Sequence, residues 1–177
     1  MVGVHYTVVA PTAAENSEPD VVEFFSYACP HCYHLESSVT QWHKKKAGTI
    51  SFERVPAQWN PFFKKMGQLY YTLEVLGLSE THGHQVFDVI HKQKRSLHTD
   101  GQIKAFVMSL GVTEEVFQAA YHSDVVKNKM HKADGLFKQY KISGVPGFVI
   151  KGRYFTDMKL AGSESSLYEI IDYLLGI

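Results

Sequence analysis

The sequence has very little cysteine. Its 177 residues include two cysteines, and both stand in one tetrapeptide, Cys29-Pro30-His31-Cys32. A structural zinc site needs about four ligands, so His31 or His34 and a remote histidine would have to complete a site built on this pair. The remaining histidines show no spacing with carboxylates that completes one. We therefore predict no metal.

A long apolar run and a net charge are also missing. No stretch approaches the roughly 20 apolar residues of a transmembrane helix, so we expect a water-soluble chain without membrane insertion. Eighteen basic side chains balance 18 acidic ones, which makes nucleic acid and anionic membranes poor partners. The sequence has no glycine-rich phosphate loop, Gly-x-Ser-x-Gly elbow or pair of catalytic carboxylates, which are the motifs of other enzyme classes.

The cysteines follow a predicted strand and open a predicted helix. Residues 21–25 are mostly β-branched or aromatic, as in a buried strand, and Pro30 suits the first position of a helix because no backbone N–H is needed there. Cys29 should then cap the helix, where unpaired N–H groups and the helix dipole stabilise a thiolate. We expect an exposed, nucleophilic Cys29, a shielded Cys32 one turn further in, and an additional cationic influence from protonated His31.

The cysteine pair has three interpretations. Two cysteines can be small hydrophobic core residues, or they can belong to a metal site that histidines complete. The third interpretation is redox chemistry, because this spacing at a helix start permits a short-loop disulfide. The position of both cysteines directly after a strand favours redox chemistry.

Apolar periodicity divides the rest of the chain. Strand patterns occupy residues 6–9 and 49–55, a loop is expected at residues 11–19, and a helix is expected at residues 30–47. Near the carboxyl terminus, residues 147–150 and 153–155 predict a hairpin around Lys151-Gly152. Ser163 is predicted to cap a final helix. The order strand, helix, strand, and later hairpin and helix, indicates an α/β domain.

Helical periodicity dominates residues 60–140. Thr99 and Gln102 form a predicted capping box, and Thr113 and Ser123 are predicted to begin two further helices. The sequence therefore predicts an α/β domain made of residues 1–59 and 141–177, interrupted by an all-helical subdomain of residues 60–140.

Residues 23–33, Glu-Phe-Phe-Ser-Tyr-Ala-Cys-Pro-His-Cys-Tyr, resemble the active-site segment of the DsbA family of thiol:disulfide oxidoreductases, whose signature is Cys-Pro-His-Cys. Residues 143–147, Ser-Gly-Val-Pro-Gly, resemble that family's loop facing the active site. The resemblance covers most of the chain in order and in length. It implies a thioredoxin-like α/β fold with a central mixed sheet and an inserted helical subdomain, in agreement with the periodicity.

The resemblance also implies roles for individual residues. Cys29 and Cys32 would form a redox-active disulfide, with Pro30 and His31 between them and no other cofactor. Most X-Pro bonds are trans, but the resemblance implies a cis Pro146 across from the disulfide, with Val145 offering backbone hydrogen bonds to an incoming chain.

Glu23 is an acidic residue inside an apolar strand. Burial should raise the pKa of its carboxyl group; the alternative is a glutamate at the strand edge that reaches water. The resemblance implies a buried acid beneath Cys32 that assists proton transfer during exchange. Residues 53–59 lack the lysine that accompanies this acid in familiar members of the family, so the basic partner of Glu23 is left open.

The resemblance implies a periplasmic thiol oxidase whose signal peptide has been removed. Its partners would be reduced, unfolded proteins as substrates and a DsbB-like, quinone-linked membrane protein as reoxidant, and we expect a monomer. The alternatives are a DsbA-like reductase or isomerase, a kappa-type glutathione transferase relative that acts on small molecules, and a metal-binding or structural thioredoxin-like module. The intact cysteine pair disfavours the glutathione transferase and the structural module.

Overall fold

The structure is a computed structural model that describes residue 1, residues 3–9 and residues 19–176. The predicted loop at residues 11–19 lies outside these described residues except for Pro19. The strands among the described residues are β1 (Thr7–Val8), β2 (Val21–Phe25), β3 (Phe52–Pro56), β4 (Gly147–Ile150) and β5 (Tyr154–Asp157). The helices are α1 (Pro30–Lys46), α2 (Pro61–Val75), α3 (Ser79–Phe87), α4 (Asp100–Ser109), α5 (Glu114–Tyr121), α6 (Asp124–Gln139), α7 (Met158–Ala161) and α8 (Glu164–Gly176).

The chain divides into two compact units. The first comprises Met1–Phe25, His34–Val55 and Phe137–Ile177, and the second comprises Ser26–Tyr33 and Pro56–Leu136. The division at residues 60 and 140 that the sequence suggested stays a prediction.

The first unit is built on a mixed sheet with the strand order β1-β5-β4-β2-β3. The pairs β1–β5, β4–β5 and β2–β4 are antiparallel, and β4 is in register with β2 so that Phe148 lies opposite Glu23. All five residues of β2 are buried, as the apolar pattern predicted. The sheet places β3 beside β2, in agreement with the predicted order of strand, helix and strand.

Buried side chains from the sheet, α1 and α8 form the core of this unit. Each fully buried large aliphatic or aromatic side chain contributes roughly 1.5–3 kcal/mol through removal from water. The members of this cluster are Tyr6, Val21, Leu35, Val39, Trp42, Phe148, Ile150, Leu167, Ile171 and Leu174.

The predicted hairpin forms, but its connection is longer than expected. Ile150 pairs with Tyr154, so Arg153 belongs to the turn and not to the strand. Lys151 and Gly152 both have positive φ, at 50° and 60°, and the Arg153 N–H donates to the Ile150 carbonyl. Two consecutive left-handed residues are typical of a type I′ turn, and the strand pairing begins one residue after it, at Tyr154.

The second unit contains the helical segment from α2 to α5 and most of α6. The predicted capping box is confirmed: the Gln102 N–H donates to Thr99 Oγ1, and the Gln102 side chain accepts from the Thr99 N–H. Ser123 caps α6 as predicted, by accepting from the Val126 N–H. One element of this unit was not predicted, a π-helical segment (Asp88–Lys92) that continues α3.

Candidate active site

The cysteines lie where the chain leaves β2 and enters α1. Ser26 organises the connection, because its carbonyl accepts from the Cys29 N–H at 3.0 Å and its hydroxyl oxygen accepts from the Ala28 N–H at 3.1 Å. The Tyr33 N–H then donates to the Cys29 carbonyl, which is the first hydrogen bond of the helix. Cys29 is thus the capping residue and Pro30 the first helical residue, as the sequence predicted.

Hydrogen bonds lower the pKa of the Cys29 thiol from 9.0 to about 6. The largest cause is a hydrogen bond from the Cys32 side chain to the Cys29 sulfur, and burial opposes it. The backbone N–H groups of Cys32 and His31 also donate to this sulfur, and the charge of His31 is the weakest of these causes. The sequence identified the helix terminus and His31 correctly as contributors, but it missed the hydrogen bond from the Cys32 thiol, which is the largest single cause.

The cysteines differ less in exposure than expected. Cys29 is 7% exposed and Cys32 is 2% exposed, so both residues are buried. Pro30 and His31 are the exposed residues of the motif. The expectation of an exposed Cys29 is therefore wrong for the residue as a whole.

Glu23 is buried at 2% exposure, in the middle of β2. Burial raises the pKa of its carboxyl group to about 7, although the charge of Arg54 acts against this shift. Arg54 Nε donates to Glu23 Oε2 at 2.6 Å, and the guanidinium also binds Glu36 through Nη1 at 3.2 Å and Nη2 at 2.6 Å. The charge of Glu36 raises the pKa of Glu23 further.

The sequence reasoning missed Arg54 and Glu36. A signal for Arg54 was present, since it is a basic residue on the strand expected beside β2, and an arginine there supplies the cation that the absent lysine does not. Glu36 had no comparable signal, because surface carboxylates on helices are common. The buried Glu23 excludes the alternative of a strand-edge glutamate that reaches water.

Val145 and Pro146 stand directly before β4. The peptide bond between them is cis, as the resemblance implied, and Pro146 is buried while Val145 is half-buried. The packing of β4 beside β5 also requires a glycine directly after Pro146, at position 147. A Cβ on Gly147 would come within 2.7 Å of the Phe155 ring.

Among the described residues, no group of three or more histidine, cysteine, aspartate or glutamate side chains is arranged to hold a metal ion. None of the helices in the described part of the chain has the length and apolar character needed to cross a membrane.

A Cys-x-x-Cys pair that caps a helix after the central strand of a mixed sheet, with a stabilised thiolate on the first cysteine, defines a thiol:disulfide oxidoreductase with a thioredoxin-like fold. Comparison with known proteins extends this assignment. A sequence model of the DSBA-like thioredoxin domain matches residues 49–166.

The thiol:disulfide interchange protein DsbA of Azotobacter vinelandii is 38% identical over 171 residues, which cover 95% of this chain and 80% of that protein. The Pseudomonas aeruginosa protein of the same name is 35% identical, over 88% of this chain and 74% of that protein. The crystal structure of Pseudomonas aeruginosa DsbA superimposes with a TM-score of 0.91 at 33% identity, and covers 99% of this chain and 93% of that one. The chain belongs to the DsbA family, and the predicted family, fold and enzyme class are confirmed.

Proposed function

We propose that this protein is an oxidant of other proteins and donates a Cys29–Cys32 disulfide to reduced, unfolded substrates. The observation that carries this direction is the lowered pKa of Cys29. Whatever stabilises the reduced, thiolate form of a dithiol makes its disulfide a stronger oxidant. Each pKa unit by which a thiol is lowered favours its thiolate by about 1.4 kcal/mol.

The exchange proceeds through a mixed disulfide on Cys29. A substrate thiolate attacks the Cys29 sulfur of the disulfide, the bond to Cys32 breaks, and Cys32 leaves as a thiolate that takes up a proton. A second substrate thiolate then attacks the substrate sulfur of the mixed disulfide and releases Cys29 as a thiolate. The substrate loses two electrons and gains a disulfide, while the Cys29–Cys32 pair is reduced. In the reverse direction, Cys29 is the nucleophile and Cys32 the resolving cysteine.

The neighbouring residues have supporting roles in this proposal. Pro30 starts the helix without an N–H of its own, and His31 adds positive charge near the thiolate. Glu23 serves as the acid or base that exchanges a proton with Cys32. Its raised pKa of about 7 supports this role, because a group that titrates near the working pH both gives and accepts protons efficiently.

Substrate binding is proposed for Val145 and Pro146, with the backbone of Val145 pairing with an extended segment of the substrate. Backbone pairing of this kind tolerates many sequences, which suits an enzyme that acts on unfolded chains. Turnover requires a reoxidant, and the family resemblance favours a DsbB-like, quinone-linked membrane protein. The same resemblance favours a periplasmic location, and we expect the protein to act as a monomer.

Equilibration with a glutathione redox buffer tests the direction. We expect a reduction potential well above that of thioredoxin. A potential as reducing as that of thioredoxin contradicts the proposal that this protein oxidises other proteins.

Trapping experiments test the order of the cysteines. Cys32→Ser should accumulate mixed disulfides with a substrate that carries a disulfide, because the Cys29 thiolate attacks that disulfide and the resolving sulfur is missing. Cys29→Ser should accumulate none. Equal trapping by the two variants contradicts the assigned order.

A further inference from the structure

The backbone just before Cys29 is held by a histidine distant in sequence. His91 Nε2 lies 2.8 Å from the Tyr27 carbonyl oxygen, and the two residues are separated by 64 positions. Because a carbonyl oxygen only accepts, Nε2 carries the hydrogen and donates it. His91 belongs to the π-helical segment, in the same compact unit as the cysteines.

This hydrogen bond adds to those that hold the turn before Cys29. The Ser26 carbonyl and hydroxyl oxygens accept from the N–H groups of Cys29 and Ala28. The Tyr27 carbonyl lies between these groups, and His91 supplies a donor to it. The bond therefore fixes the peptide plane between Tyr27 and Ala28, one residue away from the backbone of Cys29.

His91 is itself held by the residue that follows the redox pair. Its ring stacks on Tyr33, with ring centroids 5.1 Å apart and an interplanar angle of 16°. The Tyr33 hydroxyl donates to Asp88 Oδ1 at 3.2 Å. Asp88 and His91 both belong to the π-helical segment, so this one segment contacts the chain on both sides of Cys29 and Cys32. Such segments are rare and occur frequently at functional sites.

The Tyr27 side chain is also fixed. It is 1% exposed, its ring packs edge-on against Phe87 at 4.9 Å, and a Cβ added to Gly83 would lie 2.9 Å from its hydroxyl oxygen. With the ring immobilised, the direction of the Tyr27 carbonyl depends on the backbone turn and on the donor that faces it. That donor is His91.

We propose that His91 is a positioning residue for the redox pair: its Nε2–H holds the turn that keeps the Cys29 sulfur over the first N–H groups of α1. This proposal rests on the proposed role of Cys29. A thiolate requires those donors more than a thiol or a disulfide sulfur does, because hydrogen bonds to a charged acceptor are the stronger ones. Loss of the His91 donor therefore weakens the thiolate form in particular.

Three substitutions at one position separate the donor from the ring. His91→Phe keeps an aromatic ring for the stack on Tyr33 and removes the donor, His91→Ala removes both, and His91→Gln keeps an N–H donor. His131→Ala, at an exposed histidine of α6, is the matched control. Circular dichroism and denaturant unfolding establish that each variant is folded.

The readouts are the ultraviolet titration of the Cys29 thiolate and the equilibrium constant with glutathione, each compared with the unmodified chain. We expect His91→Phe and His91→Ala to raise the Cys29 pKa and to make the protein less oxidising by roughly fivefold in that constant, the worth of one hydrogen bond. His91→Gln should recover most of the difference, and His131→Ala should show none.

Unchanged values in folded His91→Phe overturn the proposal, and so does a loss in His91→Gln as large as in His91→Phe. The outcome is independent of the proposed direction of the reaction. A reducing potential of the unmodified chain rejects the oxidase, whereas the comparison between variants tests His91 alone.

Discussion

Arg54 Nε donates a hydrogen bond to Glu23 Oε2 over 2.6 Å, and the same guanidinium holds both carboxylate oxygens of Glu36. One cation thus serves two carboxylates, of which Glu23 is almost completely buried. Burial outweighs the attraction of Arg54, so the pKa of Glu23 rises to about 7. Both Arg54 and Glu36 therefore affect the pKa of Glu23.

The two neighbours should shift the pKa of Glu23 in opposite directions. Glu36→Gln removes a negative charge, so that Arg54 forms an ion pair with Glu23 only. The pKa of Glu23 should therefore fall. Arg54→Met removes the cation from a buried acid, so that pKa should rise by about one unit or more. NMR titration of the Glu23 carboxyl group measures both. Shifts of the same sign in the two variants contradict this account of the cluster.

Glu23→Gln should flatten the pH dependence of stability and slow exchange. In the unfolded chain the carboxyl group loses its proton near pH 4.5, whereas the folded protein retains it up to about pH 7. The folded state therefore binds more protons in this window, and stability falls as the pH rises through it. Unfolding free energies from urea titrations across the window should show a smaller slope in the variant. Disulfide exchange rates that match the unmodified chain at every pH remove Glu23 from the mechanism.

Cys32→Ala should raise the pKa of Cys29 more than His31→Ala does. The Cys32 side chain supplies the largest stabilisation of the Cys29 thiolate, and the charge of His31 supplies the smallest. Thiolate absorbance against pH, on the reduced protein, measures the two shifts. Cys32→Ser is the control, since a hydroxyl still donates and should preserve most of the low pKa. A larger shift in His31→Ala contradicts the ranking of the two causes.

The reduced protein should gain stability relative to unfolded chain as the pH rises from about 6 towards 9.0, the window between the folded and the ordinary pKa of Cys29. In this window the unfolded thiol binds a proton that the folded protein has released, so the slope is positive. Urea unfolding of the reduced protein over this range measures it. Cys29→Ser should remove this component, and an unchanged slope in that variant assigns it to other groups.

Thr99→Ala should cost about 1 kcal/mol of stability through loss of the capping box of α4. Thr113→Ala is the matched control, because Thr113 accepts one longer hydrogen bond, at 3.4 Å, from the Val116 N–H. We expect a smaller loss there and an unchanged glutathione equilibrium in both variants. Denaturant midpoints measure the two losses of stability. A loss in Thr113→Ala that equals or exceeds the loss in Thr99→Ala contradicts the prediction.

Local patterns in the sequence were sufficient for most of the fold. The apolar run of β2, the proline at the start of α1 and the caps at Thr99, Thr113 and Ser123 all depend on residues within a few positions of one another. The helix start also indicated which cysteine would be the stabilised thiolate. These features are readable because the backbone hydrogen bonds and the side-chain periodicity that produce them are local.

Other local features were read incompletely. The hairpin after β4 was predicted with two connecting residues and has three, since Ile150 pairs with Tyr154 and Arg153 stays in the turn. The continuation of α3 as a π-helical segment was missed, since such segments are rare inside α-helices. The cis bond before Pro146 came from the family resemblance, because most bonds before proline are trans.

The sequence by itself determined the strand, the helix that follows it and the redox pair at the start of that helix. Tertiary structure decided which distant groups control that chemistry: Arg54 lies 31 positions from Glu23 and 18 from Glu36, and His91 lies 64 positions from Tyr27. The physical reason is that a charge or a donor in the sequence has many possible partners. Sheet register and the packing of buried rings select one of them, and neither is encoded in the spacing of the residues that meet.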